Sequence, residues 1–134
     1  MIVHIIGDGR FAYQLRDILI DINSNVRIIF VGIDEKDSQN YITEKIFWGL
    51  LNTSTDLNVI VGLGYKHQKK RIEFINILKQ KKINIINAIH PSAFVDDTVS
   101  IGQGVVIYPH TIIEKNTVLA DGIIINTAAL ICHD

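Results

Sequence analysis

VDDTVSIGQGVVIYPHTIIEKNTVLADGIIINTAALI, the stretch from Val95 to Ile131, repeats itself every six residues. Val95, Ile101, Ile107, Ile113, Leu119, Ile125 and Ile131 are all aliphatic, seven consecutive matches at one interval. Two residues before each stand Ala93, Val99, Val105, Thr111, Thr117, Ile123 and Ala129, nearly all small or β-branched, as a tight corner beside an inward-pointing side chain requires. A short fixed period of this kind means that identical units stack on one another, because a single unit cannot bury its own apolar face. The spacing predicts a parallel β-helix of triangular section, with three hexapeptides to a coil and the aliphatic residue stacked down the interior. Seven hexapeptides amount to little more than two coils, and the pattern is still running at Asp134. The expectation is therefore a chain shortened at its C-terminal end, with Ile113, Leu119, Ile125 and Ile131 facing an open end. Each exposed aliphatic there would forfeit roughly 1.5–3 kcal/mol of burial.

Upstream of His90-Pro91 the period changes. Ile2-Val3-His4-Ile5-Ile6 reads as a strand, runs into Gly7-Asp8-Gly9, and is followed by Leu15, Ile18, Leu19 and Ile22 at the i, i+3, i+4, i+7 spacing of a helix. Arg27 to Ile33 reads as a second strand ending at the acidic pair Asp34-Glu35. A second helix is predicted over 41–51 from Ile42, Ile46 and Leu50, then a strand over 58–62, a basic helix over 66–82 and a strand over 83–86. Strands alternating with helices predict an α/β domain with a small parallel, doubly wound, Rossmann-like sheet in β-α-β-α-β-α-β order. The predicted division is 1–88 for this nucleotide-binding unit and 89–134 for the start of the β-helix.

Composition narrows the function classes. The chain has 134 residues, 48% hydrophobic and 20% charged, with a formal net charge of −1 and one cysteine. Near-neutral charge argues against nucleic acid as a partner. Apolar runs interrupted by Asp, Asn, Lys or Gly predict no membrane span, and the short N-terminal apolar run lacks the features of a signal peptide. The cytoplasm is the expected compartment. A lone Cys132 excludes an intrachain disulfide and a Cys-rich zinc site, and the scattered histidines show no metal-ligand spacing. No metal is predicted.

Gly7-Asp8-Gly9-Arg10-Phe11-Ala12 fits G-x-G-x-x-[GA] between a strand and a helix, the context in which free backbone N–H groups cradle a phosphate. Gly7 and Gly9 are the turn. Arg10 is a candidate phosphate partner, and Phe11 either stacks on a base or packs. Asp34 stands at the end of the second strand, where an acid reads a ribose or base. A third element begins after Gly62, where the segment 66–82 carries net +6 against −7 over the rest of the chain. Lys66 or Lys69 could reach a pyrophosphate there, while the distal lysines read as a solvated face. The same features would suit NAD, although a half-Rossmann unit lacks the second mononucleotide half.

The order of the two modules, the junction Ile89-His90-Pro91-Ser92-Ala93 and the string Ile125-Asn126-Thr127-Ala128-Ala129-Leu130-Ile131-Cys132-His133-Asp134 resemble the NeuD/PglD-like bacterial sugar acyltransferases. That resemblance covers essentially the whole chain. It implies a Rossmann-like domain holding a nucleotide-linked sugar, UDP being the expected nucleotide, and a left-handed β-helix using acetyl-CoA as acyl donor in a homotrimer. It further implies that His133 is the general base, that Asp134 orients it, and that Asn126 lies near the acceptor sugar. The function it implies is transfer of an acyl group, acetyl by expectation, to an amino or hydroxyl group of the sugar in bacterial surface glycan biosynthesis. The alternative is a nucleotide-sugar-binding module without catalysis, its acyl-CoA-binding coils missing, so that this chain alone would be inactive and not a tight trimer.

Overall fold

The structure, a computed structural model, describes residues 1–34, 36–54 and 56–134. Glu35 of the acidic pair lies outside the described residues. The N-terminal half runs β1 (Ile2–Ile6), α1 (Arg10–Ile22), β2 (Arg27–Gly32), β3 (Tyr41–Thr43), α2 (Glu44–Thr53), β4 (Asn58–Val61), one turn of 3₁₀ helix (Tyr65–His67), α3 (Gln68–Gln80) and β5 (Asn84–Ile85). Its strands form one parallel sheet in the order β3-β2-β1-β4-β5. Strand order reverses at β1, so the connections from β1 to α1 and from β4 to α3 leave toward opposite faces of the sheet, with a crevice between them.

Alternation along the strands sends side chains to two cores. Val3, Ile5, Ile28 and Phe30 pack against Leu15, Ile18 and Leu19 of α1. Ile6, Val31, Val59 and Val61 pack on the opposite face against Phe47 and Leu51 of α2 and Phe74, Ile75 and Leu78 of α3. Two expectations are corrected here. Ile22 closes α1 but is 44% exposed, since the chain already turns away at Asn23. The predicted helix over 41–51 begins instead with the edge strand β3, because Tyr41-Ile42-Thr43 is aromatic and β-branched. Thr43 then caps α2, its Oγ1 accepting from the Ile46 N–H at 3.4 Å. The buried stripe of α2 is Phe47 and Leu51, whereas Ile46 and Leu50 face outward.

His4 of β1 sits in the second of these layers, its ring centroid 5.8 Å from that of Phe47, with Nδ1 unpartnered among the described residues. Burial pushes its pKa down, partly offset by a backbone hydrogen bond to Asn58. A histidine held neutral in the fold protonates more readily when unfolded, so stability falls as pH drops below its ordinary value near 6.5. His4→Phe is expected to flatten that decline between neutral and mildly acidic pH in denaturant titrations. An unchanged pH slope would remove His4 from the account.

From Ala88 on, eight two-residue strands follow: β6 (Ala88–Ile89), β7 (Phe94–Val95), β8 (Ser100–Ile101), β9 (Val106–Ile107), β10 (Ile112–Ile113), β11 (Val118–Leu119), β12 (Ile124–Ile125) and β13 (Leu130–Ile131). They pair in parallel as β6-β9-β12, β7-β10-β13 and β8-β11. Ile89 sits beside Ile107, Ile107 beside Ile125, Val95 beside Ile113 and Ile101 beside Leu119. Three hexapeptides thus make one coil of a parallel β-helix, as the spacing predicts. Corners recur with left-handed φ at Gly104, His110, Asn116, Gly122, Ala128 and Asp134. The inward threonines tie corners together: Thr111 Oγ1 donates to Tyr108 O at 2.9 Å, and Thr117 Oγ1 to Glu114 O at 2.8 Å.

The expectation of an open apolar end is overturned for three residues. Ile113 is fully buried, Leu119 and Ile125 are 6% exposed, and only Ile131 is half-exposed. The triangular bore is narrow enough that inward side chains of one coil cover those of the next. Ile107→Val, which removes one methylene from that stack, is expected to cost about 0.5–1.5 kcal/mol by chemical denaturation. No loss would mean the stack relaxes around the gap.

One side of the β-helix is packed against the sheet half. Ala88 and Val106 join the α1 core, and Ile124 packs against it. Another side carries an outward ladder of Phe94, Ile112 and Leu130 in mutual register, each exposed. Among the described residues, no helix is long and apolar enough to cross a membrane.

Candidate active site

A cleft of about 820 Å³ opens where the carboxyl ends of β1, β2 and β4 meet the β-helix. The glycine turn forms one wall. Gly7 has φ +117, a conformation closed to most side chains, and a Cβ there would lie 2.9 Å from Gly62 O. Ala12 and Gly62 let α1 approach β4 closely, since a Cβ on Gly62 would fall 2.9 Å from Ala12 Cβ and 2.6 Å from Ile5 Cγ2. Gly9 differs: a Cβ there meets nothing within 4 Å, so its bareness serves the open cleft rather than the fold. Gly9 is also the N-cap of α1 and offers no side-chain acceptor, which leaves the first-turn N–H groups unpaired within the helix. Helix ends of this kind attract anions.

Basic side chains share the cleft with that turn. Arg10 lines the cleft from α1, and Lys66, His67 and Lys70 line it from the 3₁₀ turn and α3. Lys69 is not among the lining residues. Phe11 lines the cleft as well and packs into the α1 core. Asp8 of the turn itself and Glu44 of α2 also line the cleft. Asp8 Oδ2 accepts from Lys36 Nζ and from Tyr41 Oη at 3.4 Å, while Lys36 lies over the Tyr41 ring. The Asp8 carboxylate holds the Lys36 ammonium above its usual pKa, and burial raises the Tyr41 phenol. Asp34, the sequence candidate for the ribose acid, is exposed and is not among the lining residues. Strand β2 ends at Gly32, two residues before Asp34.

The β-helix supplies the far wall through Tyr108, Ile124, Asn126 and Thr127. Tyr108 Oη donates to Gln14 Oε1 at 2.7 Å, and burial raises its pKa. Beneath the cleft lies Arg71, 1% exposed, which donates to Val61 O, Leu63 O (3.2 Å), Gly104 O (2.7 Å) and Gly122 O (3.0 Å). Burial brings its pKa down to about 10, so it stays charged at neutral pH. Arg71 thus departs from the basic surface of α3, whereas Lys79, one of the distal lysines read as a solvated face, is exposed and pairs with Asp121 of the β-helix.

His133 and Asp134 are placed elsewhere. They flank a separate shallow depression with Phe94, Asp96, Glu114, Lys115 and Asn116. His133 Nδ1 lies 2.9 Å from Asp134 Oδ2, and Asp134 Oδ1 accepts from Asn116 Nδ2 at 3.2 Å. These two hydrogen bonds, His133 first, hold the Asp134 carboxyl below its ordinary range. His133 is exposed, and its main-chain N–H donates to Glu114 Oε2 at 3.0 Å. The separation from the cleft follows from the repeat. Thr127 and His133 are one hexapeptide apart, so they occupy equivalent positions on successive corners. Within one chain the structure brings together Gly7, Gly9, Arg10, Phe11, Gly62, Lys66 and Asn126, but not Asp34, His133 or Asp134. Among the described residues, no three His, Cys, Asp or Glu side chains gather into a group that could hold a metal ion.

No family model matches the chain, and no curated protein matches it in sequence. Solved structures do. The acetyltransferase domain of PglB from Neisseria gonorrhoeae, in complex with acetyl coenzyme A, superposes with a TM-score of 0.86 at 26% identity, over 99% of this chain and 65% of that one. The fold is similar to that of an acetyltransferase with a hexapeptide β-helix. A histidine variant of perosamine N-acetyltransferase from Caulobacter crescentus, in complex with CoA and GDP-perosamine, matches with a TM-score of 0.82 at 25% identity, over 98% of this chain and 63% of that one. WeeI from Acinetobacter baumannii shares the fold at 15% identity and a TM-score of 0.79, over 100% of this chain and 65% of that one. The chain spans a little under two thirds of the length of these solved structures.

Sequence reasoning passed over Tyr108, Thr127, Asp8 and Arg71. For Arg71 a signal exists: Arg71, Phe74, Ile75 and Leu78 share the i, i+3, i+4, i+7 face of α3, so the guanidinium had to point inward with the apolar residues.

Proposed function

We propose that this protein transfers an acetyl group from acetyl-CoA to an amino or hydroxyl group of a nucleotide-linked sugar, in bacterial surface glycan biosynthesis in the cytoplasm. The observation that carries the reading is the single cleft joining an anion-attracting glycine turn to a β-helix wall. In the Rossmann-like half, the diphosphate rests on the α1 first turn, Arg10 and Lys66, and the sugar extends toward Tyr108, Asn126 and Thr127. The nucleotide is UDP or GDP; the Caulobacter enzyme's GDP-perosamine complex keeps the second open.

His133 is the general base. Asp134 accepts from its Nδ1–H, which leaves Nε2 free to take the proton from the attacking amine or hydroxyl. A bond forms from that N or O to the thioester carbonyl carbon, the C–S bond breaks, and coenzyme A leaves as thiol once protonated. Because His133 and the cleft occupy different corners, we propose a homotrimer of left-handed β-helices in which one copy's base serves a neighbour's cleft. The exposed Phe94, Ile112 and Leu130 ladder beside the His133 corner is the apolar face such packing would cover.

Titration with UDP- and GDP-sugars, NAD and acetyl-CoA, together with an assay for released coenzyme A, tests the reading. Binding of a nucleotide sugar with thiol release supports it. NAD binding with no response to any nucleotide sugar would replace it by a dinucleotide-dependent activity. Binding of a nucleotide sugar without transfer would leave a binding module.

A further inference from the structure

Arg71 stands where a charged side chain is rarely found. Among the described residues no carboxylate bonds it, and its donors are engaged by four main-chain carbonyls drawn from both halves of the molecule. Val61 and Leu63 lie where β4 runs out under the cleft. Gly104 and Gly122 are β-helix corners one coil apart, both with left-handed φ. The guanidinium also lies 5.5 Å from the ring centroid of Phe11 in the first turn of α1. Helix α3 is seated directly on the corners, since a Cβ on Gly122 would fall 2.6 Å from Ile75 Cδ1. Peripheral contacts flank this centre: Tyr108 with Gln14, Lys79 with Asp121, and His90 with Asp21 at 3.2 Å.

We propose that Arg71 is a positioning residue that fixes the register between the sheet half and the β-helix, so that the cleft is a preformed, rigid site rather than one that closes by a hinge. The planar fork of arginine directs its donors in fixed directions, which a lysine ammonium cannot reproduce. Carbonyl dipoles and an aromatic face stand in for a counter-ion, and bonds to an ionised donor are about twice as strong as neutral ones. Opening the junction would leave those carbonyls and a buried charge unsatisfied, so the open arrangement is disfavoured. The nucleotide turn and the Tyr108, Asn126 and Thr127 wall are then held at one separation before any ligand arrives. Only the ligand arm of the test rests on the nucleotide-sugar reading.

Spin labels on exposed Cys132 and on a Lys45→Cys variant report the distance between the halves, with labelled chains diluted in unlabelled ones so that only intrachain distances are read. A narrow distribution that saturating UDP or GDP leaves unshifted is expected. A nucleotide-dependent shift in the otherwise unaltered protein overturns the proposal without needing any change at position 71. In Arg71→Lys and Arg71→Met the distribution is expected to broaden at least twofold, and a folded Arg71→Lys with an unchanged width overturns the proposal. UDP and GDP affinities in Arg71→Lys should stay within threefold, because the phosphate turn lies on one side of the junction. A loss above tenfold would make Arg71 a local prop of that turn and overturn the strut. If neither nucleotide binds the unaltered protein, the nucleotide reading of the cleft fails while the distance widths still decide the strut.

Discussion

His133→Ala is expected to lower acetyl transfer about 10²–10⁴-fold, the usual consequence of removing a general base, with the affinity for the nucleotide sugar unchanged. Geometry supplies both halves of that expectation. His133 stands clear of the nucleotide cleft, so its loss removes no contact to the diphosphate. Its Nδ1 is held by Asp134, which Asn116 holds in turn, so the free Nε2 is oriented without substrate. Steady-state kinetics, paired with titration calorimetry, measure the two quantities separately. Near-wild-type kcat would make His133 an ordinary corner residue. A matching loss of sugar affinity would instead assign it to binding. Asp134→Asn keeps a side chain of the same size but can present an N–H donor, and so disturbs the tautomer. It should cost rate in the same direction, though less.

Gly9→Val is expected to abolish nucleotide-sugar binding while leaving the fold intact. The added Cβ meets no protein atom within 4 Å, and Gly9 sits at φ −85, a backbone conformation any residue adopts. The side chain would therefore project where the diphosphate must approach the N–H groups of α1. Hydrogen bonds to a charged group contribute about 1.5–3 kcal/mol each, so losing even one costs roughly tenfold or more in affinity, and losing two leaves nothing measurable. Thermal unfolding within a degree or two of the parent, with binding gone, supports this. A large drop in Tm would show that Gly9 serves the turn itself, and retained binding would move the phosphate away from α1. Gly7 and Gly62 could not be used this way: left-handed φ at Gly7 and contact with Ala12 and Ile5 at Gly62 make both structural.

Much of the molecule can be read from residue spacing. The six-residue period, the three-hexapeptide coil and the buried aliphatic row follow from Val95 to Ile131 alone, because a period shared by stacked units fixes its own register. Strand-turn-helix at Gly7-Asp8-Gly9 is equally legible, since the turn requires glycine and the helix stripe follows at once. The edge strand Tyr41–Thr43 was hidden by a helical spacing of Ile42, Ile46 and Leu50 that the tertiary packing does not use. Phe47 and Leu51 have the same four-residue spacing, and only the facing sheet chooses between the two stripes.

The site divides in the same manner. Local sequence determined the glycine turn and the His133-Asp134 pair, because each is built from neighbouring residues whose geometry the backbone fixes. Tertiary structure alone decided what faces the turn. Tyr108, Asn126 and Thr127 line the cleft together with Asp8, Asp34 does not, and His133 turns to the next corner. Those choices depend on how α3 docks on the β-helix, and the docking depends on Arg71 meeting carbonyls 8 to 51 residues away in the chain. A main-chain carbonyl is the same group in every residue, so no sequence pattern marks which of them a buried guanidinium will find.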